Sequence, residues 1–210
     1  MTIRPTGRRL LNLVLIASLA TGVWQTGQAL WIYAKAELAQ LLLQRAWSRT
    51  LAGKPMPKPW PWADTWPVAR LRVVRYGIDL VILANASGRT LAFGPAYLSS
   101  SAPPGENGTT ILAGHRDTHF AFLPRLQPAD ELLMETSDGL RHRYLVRAVS
   151  IVDSRTATIG SDDMPRLALV TCYPFDAIMP GGSLRFVVIA EEWMGRHTEQ
   201  VNEQINSNRT

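Results

Sequence analysis

Hydrophobic and polar positions divide the chain into three unlike stretches. Leu10 to Ala34 carries no charge, with Arg4, Arg8 and Arg9 before it and Lys35 after it. Its first part, Leu10–Trp24, is strongly apolar, and Gln25 and Gln28 dilute it before Ala29–Tyr33. Coiled at about 1.5 Å per residue, this run is long enough to cross a hydrocarbon core of about 30 Å. Trp24, Trp31 and Tyr33 suit the outer interface, where amphipathic rings settle. The second stretch, Ala34–Leu51, is rich in Ala, Leu, Gln and Arg and predicts a helical stalk. Gly53 and the run KPMPKPWPW stop that helix, because proline cannot continue it, and residues 53–67 read as a stiff linker.

From Val68 the pattern changes to short alternating runs punctuated by turns. Arg70–Tyr76, Ile78–Ala84, Thr109–Ala113, Glu131–Thr136, Leu140–Val152, Arg166–Thr171 and Ser183–Ala190 predict strands. Asn85–Gly88, Pro103–Gly108 and Asp138-Gly139 predict turns. Several short strands without long helical patterns indicate a mainly β domain, a barrel or a sandwich, over residues 68–192. Residues 193–210 read as a polar tail, frayed or ending in a short helix.

Charge sharpens this division. The whole chain of 210 residues carries +5, which by itself resembles a nucleic-acid binder. Residues 1–60, however, hold eight Lys/Arg against the single acid Glu37, whereas residues 61–210 hold fourteen Arg, no Lys and sixteen acids. The basic excess therefore flanks the apolar run, as it does beside anionic lipid, and the β-rich domain has no basic stripe for nucleic acid. The reading is a single-pass anchor in the inner membrane through residues 10–34, with the β domain on the periplasmic side. A cleaved signal peptide ending at Gly27-Gln28-Ala29 is the rival, and the apolar character that resumes after that site favours the anchor. The N-terminal arginines favour a cytoplasmic N-terminus, although Lys35, Arg45 and Arg49 follow closely behind the span.

The chemistry begins with one cysteine. Cys172 has no partner for an internal disulfide, and it ends the strand-like run Arg166–Thr171 just before Tyr173-Pro174. Two readings stand: a buried small hydrophobe, or a nucleophile set at a strand end. A nucleophilic thiol needs a proton partner, for which histidine is the usual choice. Of four histidines, His197 lies in the tail and His142 alternates with Arg141 and Arg143 on a segment that reads as solvent-facing. His115 instead follows the apolar run Thr110–Gly114, and His119 is its weaker neighbour. Arg185 heads an otherwise apolar strand face with Val187 and Ile189; it either snorkels to water or stabilises a developing oxyanion. Asp117 could share a face with His115 and orient its imidazole. No metal or cofactor is called for; Asp162-Asp163 alone is too little for calcium.

These segments together resemble the sortase family of membrane-anchored cysteine transpeptidases. The resemblance rests on Pro104–Gly108 leading to Ile111–Thr118, on Leu167–Cys172, and on Arg185–Val188, in that order along residues 68–192. The Trp/Pro-rich approach Pro59–Pro67 and the run Ala113–Phe120 look most like the proteobacterial class called GN. The resemblance implies an eight-stranded closed β-barrel with the active site in a groove on its wall. It implies Cys172 as nucleophile, His115 as acid/base and Arg185 as oxyanion or substrate stabiliser. It also implies Thr171 in the substrate groove. The partners it implies are a protein with a C-terminal, LPXTG-like sorting signal, and an amine acceptor. One departure is Gly94-Pro95-Ala96, where many sortases carry a Gly-His pair. The rivals are a thiol hydrolase of the same geometry and a membrane-tethered β-barrel binding module with an inert cysteine.

Overall fold

The computed structural model describes residues 5–160, 163–177, 179 and 181–193. The polar tail from Met194 lies outside the described residues. The chain divides into two compact units, Met1–Leu42 and Leu43–Thr210. The first unit holds most of the helix α1, Pro5–Leu51. Its apolar side chains, from Leu13 and Ile16 to Trp24 and Trp31, are exposed. Among the described residues one helix is long and apolar enough to cross a membrane, with a mean hydropathy of 1.3.

The second unit is built on a closed barrel. Its strands are β1 (Pro67–Val73), β2 (Ile78–Leu83), β3 (Ala96–Tyr97), β4 (Thr109–Ala113), β5 (Glu131–Thr136), β6 (Arg141–Asp153), β7 (Arg166–Cys172) and β8 (Leu184–Glu192). Their order around the wall is β1-β2-β3-β4-β7-β8-β6-β5, and β5 pairs with β1 to close it. Closure leaves no free sheet edge. Pairing is antiparallel except for β2 with β3 and β4 with β7, which run parallel.

Alternation in sequence becomes inside and outside in the barrel. On β1, Ala69, Leu71 and Val73 point into the core, while Arg70 and Arg72 face out toward Asp79 of β2. Arg70 grips that carboxylate through two hydrogen bonds of 2.6 and 2.7 Å. The core adds Leu112, Phe120, Leu132, Met134, Tyr144, Leu167, Leu169 and Val188. Burying one such side chain stabilises by about 1.5–3 kcal/mol, so a continuous apolar interior dominates the fold's stability.

The strands agree closely with those expected from the alternation, with three differences. β3 has two residues, too few to display a period, and it is held by Leu83 on one side and Ala113 on the other. Residues Val74–Tyr76 leave β1 as a 3₁₀ turn that ends at Gly77 with φ +65°, a left-handed conformation that glycine adopts freely. A short helix α2, Gly88–Leu91, starts in the segment expected as a turn, capped by Ser87 accepting from the Thr90 N–H.

The second compact unit begins at Leu43. Leu43 and Trp47, on the last turns of α1, are buried in a second cluster with Val81, Leu83 and Ala96. In the segment that follows, the Thr65 hydroxyl donates to the Ala84 carbonyl at 2.6 Å, and Trp60 meets Phe93 edge-on with centroids 4.8 Å apart. Residues 43–67, which read as stalk and linker, are thus packed on the barrel. Tryptophan supplies the reason, because a ring of that area gains more by burial than by standing in water.

Candidate active site

The strand register assembles the site. β4 and β7 run parallel, and their last ladder pair is Ala113 opposite Val170. His115 and Cys172 each lie two residues beyond that pair, so both leave the barrel at one end and at one level. On its other side β7 pairs with β8, where Cys172 stands directly opposite Arg185. Directly opposed residues of an antiparallel pair share a face, with Cβ atoms about 4.5–5.5 Å apart. Leu167 and Leu169 of β7 and Val188 and Ala190 of β8 point into the core, so Cys172 and Arg185, of opposite parity, face outward. Cys172 and Arg185 are thus neighbours across two strands, and His115 follows the end of the third, β4.

Exposure fits chemistry. Cys172 and Arg185 are half-buried and His115 is exposed. The thiol is therefore not fully buried. Among the described residues no hydrogen bond joins the thiol to the imidazole, and catalytic contacts of this kind commonly tighten only when substrate is bound.

Thr171 is the neighbour of Cys172 on β7. It points inward, only 2% exposed, and its hydroxyl donates to the Gly114 carbonyl at 2.7 Å. Its parity is opposite to that of Cys172, so the two side chains leave β7 on opposite faces. Thr171 ties the ends of β4 and β7, beside the Gly114 N–H that donates to the Val170 carbonyl at 3.2 Å. Gly114 itself has no room for a side chain: a Cβ there would lie 2.8 Å from the Phe120 ring. The Phe120 N–H donates back to the His115 carbonyl at 2.9 Å, so the chain turns sharply after the histidine.

Around this turn stand groups that the sequence marked weakly or not at all. His119 is half-buried, and its pKa is lowered chiefly by burial and then by nearby His115; a backbone hydrogen bond with Ala92 and the charge of Asp117 oppose the shift. Asp117 is exposed, and its carboxylate makes no hydrogen bond among the described residues. Arg116 reaches away from the turn and donates through Nη2 to the Ala177 carbonyl at 2.6 Å. Its place beside His115 was the only available signal, since the acceptor lies 61 residues away in sequence.

Arg185 donates through Nη1 to the carbonyls of Gly182 and Leu184, at 2.7 and 2.9 Å. Beside it, Asp153 ends β6 and accepts from Arg155 and from the Ser183 hydroxyl. The Arg155 side chain, its backbone N–H and Ser183 outweigh burial, and with Arg185 nearby they hold the Asp153 carboxyl at about 2. Phe186 packs under Tyr173 and Phe175, with centroids 6.4 and 5.2 Å apart. Farther along the same outer wall is a recess of about 270 Å³, where Ile159 and Thr158 of the β6–β7 loop face Val187 and Ile189 of β8.

His142, expected to face solvent, is half-buried at the opposite ends of β6 and β8, with Nδ1 2.7 Å from the Glu192 carboxylate. The turn at Gly105 covers it: φ there is +85°, and a Cβ would lie 2.7 Å from the His142 Nε2. Among the described residues no cluster of three or more His, Cys, Asp or Glu is placed to hold a metal.

This barrel fold has counterparts. The family model described as the sortase domain matches residues 71–193, more than half of the chain. The chain belongs to the sortase family. Sortase D of Bacillus subtilis is 31% identical over 110 residues, covering 51% of this chain and 55% of that relative. The chain thus spans about half the length of the curated relative it matches. Among solved structures, sortase A of Corynebacterium diphtheriae superposes with a TM-score of 0.57 at 20% identity, covering 77% of this chain and 87% of that one. A Clostridium perfringens sortase of the D type, described as a transpeptidase, gives 0.55 at 22% identity over 71% of this chain and 88% of that one. These solved structures share the fold of the sortase barrel described above.

Proposed function

We propose that this sortase is a membrane-anchored cysteine transpeptidase that cleaves an LPXTG-like sorting signal near the C-terminus of a partner protein and transfers the new carboxyl end to an amine. The observation that carries the proposal is the register that sets Cys172 opposite Arg185, with His115 two residues beyond the last ladder pair of β4 and β7. Cys172 attacks the scissile carbonyl as thiolate, and the electron pair moves onto the carbonyl oxygen. Arg185 faces that oxygen from the next strand and stabilises its charge. His115 gives a proton to the departing amine, and collapse of the tetrahedral adduct leaves a thioester. An incoming amine then loses its proton to His115, attacks the thioester and releases the thiolate.

The recess at Ile159, Val187 and Ile189 supplies an apolar pocket for a substrate side chain upstream of the scissile bond. The exposed apolar helix supports an inner-membrane anchor through residues 10–34, with the barrel on the periplasmic side. The Trp/Pro-rich approach and the run Ala113–Phe120 support the class GN assignment. Incubating the full chain with a labelled LPXTG-type peptide, with and without a small amine, tests the reading. Amine-dependent product with loss of activity in Cys172→Ala is the expected result, whereas hydrolysis that no amine diverts would establish a thiol hydrolase.

A further inference from the structure

β4 and β7 leave the barrel side by side, and beyond the bonds made by Gly114 and Thr171 no ladder among the described residues holds their continuations together. One continuation is the turn of His115. The other is the β7–β8 loop, which connects Cys172 to Arg185 and whose Gly182 carbonyl accepts from Arg185. Among the described residues, the hydrogen bond that joins the two continuations is the one from Arg116 to the Ala177 carbonyl, at 2.6 Å.

We propose that Arg116 is a positioning residue that latches the β7–β8 loop to the turn of His115 and so fixes the imidazole against the thiol and Arg185. The inference rests on the reading of His115, Cys172 and Arg185 as the reacting set. Arg116, next to the acid/base in sequence, braces the loop that joins the strand ends bearing the other two groups. Its other neighbours leave the turn little freedom. Gly114 is closed in by Phe120, the His115 carbonyl holds the Phe120 N–H, and His119 is tied to the Ala92 backbone. The turn is thus fixed against the barrel, and the latch transmits that fixity to the loop.

The latch uses one donor on one carbonyl, a demand that an ammonium also meets. Lysine should therefore replace Arg116, whereas Arg185 must present a planar fork to a developing charge. The latch lies at the reacting end and not at the Ile159 recess, so its loss lowers kcat and leaves KM little changed.

The test compares full-length Arg116→Met and Arg116→Lys with the parent chain in detergent. Peptide-cleavage kinetics are read together with amide exchange over residues 173–182. Arg116→Met is expected to lose about tenfold to a hundredfold in kcat with KM within threefold, and to exchange faster in that loop alone. Arg116→Lys is expected to keep kcat within about fivefold of the parent. Unchanged kcat in Arg116→Met, or unchanged loop exchange in a variant that has lost activity, would overturn the latch. Faster exchange throughout the barrel would mark a general fold defect and also overturn it. If Cys172→Ala retained cleavage, the reacting-set reading would fail separately, and the positioning role with it.

Discussion

Cys172 on β7 and Arg185 on β8 are direct register partners, so the thiol and the guanidinium rise from one point of the barrel wall. The pairing is a property of the ladder and not of a flexible loop, and in the proposed mechanism it sets the arginine beside the carbonyl that the thiol attacks. Arg185→Lys therefore removes the second fork nitrogen while keeping the charge. The expected loss is about a hundredfold in kcat or more, the scale found for removing one oxyanion donor. Steady-state kinetics on a labelled peptide checks it, and near-parental turnover would take Arg185 out of the reaction.

Thr171, next to Cys172 in sequence, is buried and bonds the Gly114 carbonyl. Thr171→Val keeps the shape but leaves the buried Gly114 carbonyl without its hydroxyl donor. An expected cost of about 1–3 kcal/mol follows from the unpaired acceptor, measured by denaturant unfolding. Thr171→Ser should recover most of it. Equal stability of the two variants would mean that the hydroxyl does not secure the strand ends.

At Gly114 the constraint is steric. An added Cβ would meet the Phe120 ring at 2.8 and 2.9 Å, and that ring is fully buried. Gly114→Ala should destabilise by about 1–3 kcal/mol through overpacking. Pairing it with Phe120→Leu should restore part of the loss, because the smaller side chain gives way. Additive losses in the double variant would show that the two positions do not press on each other.

The acid side of stability should report Asp153. Its carboxyl titrates at about 2 in the fold against 3.8 unfolded, so the stability it contributes is complete above 3.8 and disappears as pH falls through 2. Asp153→Asn should then be less stable than the parent at pH 5–7, with the gap closing between pH 4 and 2. Thermal melts across that range measure the gap, and a gap independent of pH would assign the effect to packing.

Most of the barrel was legible because its strands alternate cleanly. Ala69, Leu71 and Val73 against Arg70 and Arg72 announce one buried face in the sequence. The residues proposed for the site stand out in the sequence for a related reason: His115, Cys172 and Arg185 all lie at or just beyond strand ends, where a periodic run stops beside a turn. What escaped depends on contacts between distant segments. Trp47 sits in a helical pattern that gives no sign of Val81 and Leu83, against which it is buried. Thr171 reads as part of the nucleophile's motif, yet its parity turns it inward to Gly114. His142 lies between two arginines, and only the distant turn at Gly105 covers it. Arg116 is an ordinary surface residue until the β7–β8 loop brings the Ala177 carbonyl to it.

The central claim is covalent catalysis by Cys172, and mass spectrometry of the full chain during turnover tests it most directly. With an LPXTG-type peptide and no added amine, the chain should gain the mass of the acyl fragment on Cys172, its single cysteine. Adding an amine should discharge that adduct into a new amide product, and His115→Ala should neither form nor discharge it at a comparable rate. Peptide cleavage that persists in Cys172→Ala, or proceeds with no adduct on the thiol, would contradict the account.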